Sequence, residues 1–203
     1  MLFRSDFDHQ YKGLMTMRQA LIESRNVPAI RALAAVGITK AQNFISQMGF
    51  DYDKTLEYQN GIGLPSSTLQ NAAAYAAFAN GGTYYQPQYI KEIVTGDGER
   101  KEFSSSGKQV MQSSTAYMIT DMLKGVITSP EGTGTRANIS GLYQAGKTGT
   151  NAYPSDISAK FPDNAVMDSW FNGYTKHYSV SVWVGYDHQY EAGNYLDNNS
   201  VAL

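Results

Sequence analysis

From Ser179 to Val184 the chain alternates strictly, with Val180, Val182 and Val184 on one side of a two-residue period and Ser179, Ser181 and Trp183 on the other. Only an extended strand sends successive side chains to opposite faces, so this stretch is read as a strand. Ser169–Tyr174 supplies the preceding arm, and the residues between the arms, His177 among them, make a hairpin turn. The first half of the chain has a different rhythm. Thr16-x-x-Gln19 is a capping-box pattern that predicts a helix through Glu23. Pro28 suits a first helical turn, and Ala29–Val36 runs on to Gly37 as a stop. Thr39-x-x-Gln42 repeats the capping signal, with Ala41, Phe44, Ile45 and Met48 in helical phase and Gly49 closing. Pro65 and Ser66–Ser67 introduce a fourth helix whose stripe is Leu69, Ala72, Ala73, Ala76 and Ala77, ended by Asn80-Gly81-Gly82. Gly96-Asp97-Gly98 reads as a hairpin turn between Tyr84–Val94 and Lys101–Phe103. A fifth helix starts near Ser114, with Ile119, Met122, Leu123 and Val126 in phase, and Asn198–Leu203 looks like the start of another. Helices first and antiparallel strands last predict an α+β domain, helices packed on an antiparallel sheet.

Composition narrows the function. At 203 residues the chain suits one domain, and 42% hydrophobic with 17% charged residues describes a real core and not a disordered segment. A formal net charge of −2 gives no electrostatic case for nucleic acid or an anionic membrane surface as partner. The absence of cysteine excludes disulfides, Cys-ligated zinc and thiol catalysis. His9, His177 and His188 show neither metal nor triad spacing, so neither a metal nor a cofactor is expected. No apolar run approaches the roughly 20 residues that span a bilayer. The opening ten residues also lack the layout of a signal peptide, so any anchor is expected upstream.

Three patterns compete within residues 132–150. Gly141-Leu-Tyr-Gln-Ala-Gly146-Lys147-Thr148 fits the phosphate-loop expression at every position, but that chemistry needs a helix at the lysine. Here Thr-Gly-Thr-Asn-Ala-Tyr-Pro follows Lys147, which nucleates no helix. Gly132-x-Gly134-x-x-Ala137 is a loose dinucleotide fingerprint without its βαβ context. Lys147-Thr148-Gly149-Thr150 makes better physical sense on a strand. Lys147 and Gly149 then share one face and the two threonines the other. The bare Gly149 lets a ligand backbone approach the strand, and Lys147 sets a cation beside an anionic substrate terminus. Upstream, Ser24-Arg25-Asn26 sits between two predicted helices, where on its own it reads as a helix C-cap.

The order S-x-N, then K-T-G, belongs to the signature of penicillin-binding proteins and serine β-lactamases. Residues 16–33, 71–84, 115–123, 144–150 and 173–186 resemble class A, bifunctional penicillin-binding proteins of Gram-positive bacteria. That resemblance implies the transpeptidase fold and a serine acyl-transfer enzyme acting on the D-Ala-D-Ala end of peptidoglycan stem peptides. It also implies covalent inhibition by β-lactams, and a parent protein anchored at the extracytoplasmic face of the cell membrane. By position, Ser24 would assist proton transfer to the leaving nitrogen and Asn26 would hydrogen-bond the substrate amide. Lys147 would supply positive potential, Thr148 and Thr150 would hold the substrate carboxylate beside the strand at Gly149, and the Thr150 N–H would serve the oxyanion. The family's S-x-x-K nucleophile motif should precede Ser24, and residues 1–23 contain none. Ser105-Ser106-Gly107-Lys108 matches the pattern but follows S-x-N and lies in a loop, whereas the chemistry needs a helix. Residues 1–203 are therefore expected to be a partial transpeptidase domain, cut at both ends, without its nucleophile and final helix, inactive and marginally stable alone. A peptidoglycan- or β-lactam-binding sensor, a hydrolytic relative and a nucleotide-binding protein remain as alternatives.

Overall fold

The computed structural model describes Asp6, Asp8 and residues 10–201. Helix α1 (Met17–Ile22) starts at Thr16, whose hydroxyl accepts from the Gln19 N–H as its spacing predicts. Helices α2 (Asn26–Val36) and α3 (Ile38–Gln47) meet at Gly37, whose φ of 89° favours glycine. The capping box expected at Thr39 is absent: Gly37 is the N-cap of α3 and Thr39 lies inside the helix. Gln42 instead reaches across to Lys54 O and Leu56 N, because a side chain already inside a helix is free to bond a neighbouring loop.

Helix α4 (Thr68–Ala79) has the reciprocal Ser67–Gln70 box that Ser66–Ser67 foreshadows. Its buried residues are Ala74 and Ala77, while Leu69, placed in the expected stripe, is 40% exposed. An alanine-rich run has too little contrast between faces to fix its own rotation, so contacts with the sheet decide it. Strands β1 (Thr83–Tyr84) and β4 (Lys108–Gln109) form one small ribbon, and β2 (Glu92–Val94) and β3 (Arg100–Glu102) form a hairpin about residues 95–99. Helix α5 (Ser113–Thr128) buries Ala116, Leu123, Val126 and Ile127.

The main sheet is antiparallel, in the order β5 (Ala145–Ala152), β6 (Ala165–Tyr174), β7 (Ser179–Gly185). The short β8 (Leu196–Asp197) pairs with the start of β6, and helix α6 (Asn198–Val201) follows; residues 202–203, also in the predicted helix, lie outside the described residues. Helix α5 packs on β5, and α4 on β6 and β7. Leu123, Val126, Ala145 and Tyr174 form the core between them.

The valines that announce β7 face away from the helices: Val180, Val182 and Val184 are 53%, 44% and 44% exposed. Ser179 and Ser181 lie on the inner face, where Ser179 Oγ donates to Ala72 O of α4 at 2.7 Å. Alternation announces a strand but not which face packs. β-Branched residues favour strands on either face, and the small serines let α4 approach closely.

Candidate active site

Helix α1 ends in a Schellman motif. The Arg25 N–H donates to Ala20 O at 2.8 Å and the Ser24 N–H to Leu21 O at 3.2 Å. Such an ending requires a left-handed residue, usually glycine, and here it is Ser24, with φ of 58°. It is the one non-glycine residue at positive φ among the described residues, at a cost on the order of 1–3 kcal/mol. Ser24 is thus part of the helix ending, as the C-cap reading of its sequence expects.

Helix α1 rests on α5 where Gly125 leaves room: a Cβ there would meet Ile22 Cδ1 at 2.6 Å. Two residues after Ile22, Ser24 Oγ accepts a hydrogen bond from Lys147 Nζ at 2.7 Å. Lys147 comes from β5, and its ammonium also donates to Thr148 O at 3.0 Å. The two motifs, 123 residues apart in sequence, are thus joined by a direct bond. Burial lowers the Lys147 pKa to about 8.

The expected two-faced arrangement of the strand is present. Lys147, Gly149 and Asn151 are opposite Asn172, Trp170 and Asp168 of β6; Thr148 and Thr150 are opposite Phe171 and Ser169 on the other face. Thr150 is exposed, and Gly149 carries its bare Cα beside Trp170, where a Cβ would come within 3.2 Å of Trp170 Cβ. Among the described residues β5 is paired only with β6, so its other edge is open. Asn26 begins α2 directly after the Ser24 turn, and its backbone N–H donates to Asp6.

Sequence reasoning missed five participants. Thr133 shares a hydrogen bond with Thr148, Oγ1 to Oγ1 at 2.6 Å. Its loop, the supposed dinucleotide fingerprint, instead wraps the end of α5: the Gly134 N–H donates to Val126 O at 3.0 Å, and a Cβ on Gly132 would stand 2.3 Å from the same oxygen. The other four, Arg25, Glu23, Asp8 and Asp6, surround Ser24. Arg25, 4% exposed, donates to Glu23 through Nε at 2.9 Å and to Asp8 through Nη1 at 2.7 Å. Gln19 and Lys12 also bond Glu23, and with Arg25 they hold its carboxyl at about 2. Burial alone would lower the Arg25 pKa, but Glu23 and Asp8 outweigh it and raise it. Asp6, the last of the four, accepts from the N–H groups of Asn26 and Val27. No sequence pattern pairs residues 6 and 8 with 23–27; the alternation of Glu23 and Arg25 around Ser24 was the one available hint.

The competing motifs lack the structural context they need. Gly146-Lys147-Thr148 lies inside a strand, so no helix amides face a phosphate there. Ser105-Ser106-Gly107-Lys108 runs from a loop into β4. His177 sits in the β6–β7 turn, and His9 lies outside the described residues. A cavity of about 420 Å³ at the start of β5, lined by Phe78, Tyr117, Lys124, Tyr143, Tyr174 and Lys176, contains none of the predicted site residues. No helix of the described residues is long and apolar enough to cross a membrane.

Comparison with known proteins identifies the family and the fold. Residues 3–202 match the family described as penicillin binding protein transpeptidase domain. Penicillin-binding protein 1A of Streptococcus pneumoniae is 43% identical over 196 residues, 91% of this chain and 27% of that protein. Penicillin-binding protein 1A/1B of Bacillus subtilis is 39% identical over 188 residues, 89% of this chain and 20% of that protein. The chain therefore spans under a third of the length of either relative. Among solved structures, penicillin-binding protein PonA1 from Mycobacterium tuberculosis superposes with a TM-score of 0.78 at 21% identity, covering 98% of this chain and 54% of that one. That likeness supports the helix-on-antiparallel-sheet fold.

Proposed function

Because the chain belongs to the transpeptidase family of penicillin-binding proteins, we propose that it forms part of a serine-type D,D-transpeptidase that cross-links peptidoglycan stem peptides outside the cytoplasm. The observation that carries this reading is the 2.7 Å bond between Lys147 Nζ and Ser24 Oγ, which brings S-x-N and K-T-G to one point.

In this reading the nucleophile is a serine of an S-x-x-K motif outside these 203 residues, and the residues here act on what that serine attacks. The serine gives its hydroxyl proton to the lysine of that motif as its oxygen adds to the carbonyl of the penultimate D-Ala, and the C–N bond to the terminal D-Ala breaks. The departing nitrogen takes the Ser24 hydroxyl proton. Lys147, with a pKa of about 8 and so still mostly protonated at neutral pH, replaces that proton across its hydrogen bond. An amine of a neighbouring stem peptide then displaces the serine from the ester. Asn26 holds the substrate amide. Thr148 and Thr150 hold the terminal carboxylate, Gly149 keeps the strand edge clear, and the Thr150 N–H contributes to the oxyanion site. A β-lactam follows the same course as far as the acyl-enzyme, but its leaving nitrogen stays tethered, so the adduct persists. No metal, cofactor or nucleic acid enters the scheme, and the membrane enters only through an anchor elsewhere in the protein.

The test is intact mass and peptide mapping of the complete protein after incubation with penicillin. One adduct, on a serine of S-x-x-K preceding residue 1, is the expected result. An adduct on Ser105 overturns the placement of the nucleophile. No adduct on folded protein overturns the transpeptidase reading in favour of a non-catalytic binder.

A further inference from the structure

Ser24 is caught between two helix ends. The Schellman ending of α1 fixes the side before it, but the side after it is held from a distance. Helix α2 begins at Asn26, and its own N-cap residue, Arg25, makes no side-chain cap. The first turn of α2 contains no acidic residue either. Its leading N–H groups, which no helix can satisfy internally, instead meet Asp6: Oδ1 accepts from Asn26 N–H at 2.5 Å and from Val27 N–H at 3.0 Å. A residue twenty positions earlier thus caps the helix that starts two residues after Ser24. Asp8, on the same short segment, binds the buried Arg25 guanidinium at 2.7 Å. The carboxylates of Asp6 and Asp8 grip the backbone at 26–27 and the side chain at 25, and together they fix where the left-handed turn at Ser24 points.

We propose that Asp6 is a positioning residue of the active site: by capping α2 from outside, it sets the Ser24-Arg25-Asn26 turn so that Ser24 Oγ meets Lys147 Nζ. It touches no substrate and acts through Ser24 and Asn26. The proposal rests on the transpeptidase reading for its kinetic consequences, but its structural content stands independently. Without the cap, the Asn26 and Val27 amides turn to water, the start of α2 shifts, and Ser24 leaves the lysine. A displacement of about 1 Å at such a contact costs on the order of a hundredfold in rate. The ammonium also loses an acceptor that favours its charged form, so Lys147 titrates at lower pH.

The test uses the complete protein and three variants, D6A, D6S and D6N, with two readouts: the second-order rate of acylation by benzylpenicillin across pH, and the titration of Lys147 followed by NMR. D6A is expected to acylate at least about tenfold more slowly, with the alkaline limb of its rate profile moved to lower pH and Lys147 titrating lower. D6N keeps an acceptor oxygen and should restore both readouts. D6S, with a shorter acceptor, should fall between, and it takes the place of D6A if that variant does not fold. A D6A or D6S protein with wild-type rate and wild-type Lys147 titration, changed only in melting temperature, overturns the proposal. If the wild-type protein forms no adduct at all, the transpeptidase reading fails, and the Lys147 titration still decides whether Asp6 positions the pair.

Discussion

Replacing Lys147 with methionine should make the fold more stable while destroying its chemistry. Burial holds the Lys147 pKa at about 8, against 10.5 for a free lysine. Each pH unit between those values is worth about 1.4 kcal/mol, so keeping the ammonium charged at pH 7 costs about 3 kcal/mol. Methionine has nearly the same length and no charge. It removes the donor that Ser24 Oγ and Thr148 O now use, and losing the two bonds offsets about 1–2 kcal/mol of the gain. The net expectation is a variant about 1–2 kcal/mol more stable than wild type at pH 7. The sign with pH follows from proton binding. Between about 8 and 10.5 the unfolded lysine is protonated and the folded one is not, so wild-type stability rises with pH through that window. The methionine variant lacks this slope, and its advantage should disappear above the upper value. Urea unfolding from pH 6 to 11, followed by the fluorescence of Trp170 and Trp183, measures both curves. A variant less stable than wild type at pH 7, or one whose advantage is the same at both ends of the range, would refute the argument that burial of the charge dominates.

Two other substitutions probe the site. S24G and S24A both delete the hydroxyl and should lose acylation equally, but glycine suits the left-handed φ of 58° and alanine does not. S24G should therefore melt about 2–4 °C above S24A, for a difference of about 1 kcal/mol. G132A puts a methyl 2.3 Å from Val126 O, a backbone atom that cannot yield. The loop carrying Thr133 must move, Thr148 loses its partner, and both acylation and stability should fall, the latter by about 1–3 kcal/mol in thermal or urea unfolding.

The sequence made the larger elements legible because their signals are local. The Thr16 and Ser67 caps, the Gly37 and Gly81-Gly82 stops and the alternation before Gly185 each lie within a few residues of the boundary they set. The site motifs were legible by resemblance, and the strand geometry of Lys147–Thr150 by alternation. Long-range contacts were hidden. Thr39 and Gln42 have the spacing of a cap, yet Gln42 is drawn off to the 54–56 loop. The alanines of α4 carry no rotational preference until β6 and β7 supply one. The outward valines of β7 show that period two is a statement about the backbone, with the choice of buried face left to whatever packs there. Asp6, Asp8 and Thr133 were hidden for the same reason, since a hydrogen-bond partner fifteen, seventeen or twenty residues away leaves no periodic trace.

The bond between Ser24 and Lys147 spans 123 residues of chain, and that separation has a consequence for assembly. Local helices form quickly, whereas contacts that close so long a loop wait until most of the chain is organised. The five helices before β5 can all be present while the site does not yet exist, because its lysine arrives only when the last sheet pairs. On the proposed function, a species of the complete protein caught partway through folding would show helical circular dichroism and no capacity to react with penicillin, so acylation competence would mark the final step of folding and not its beginning.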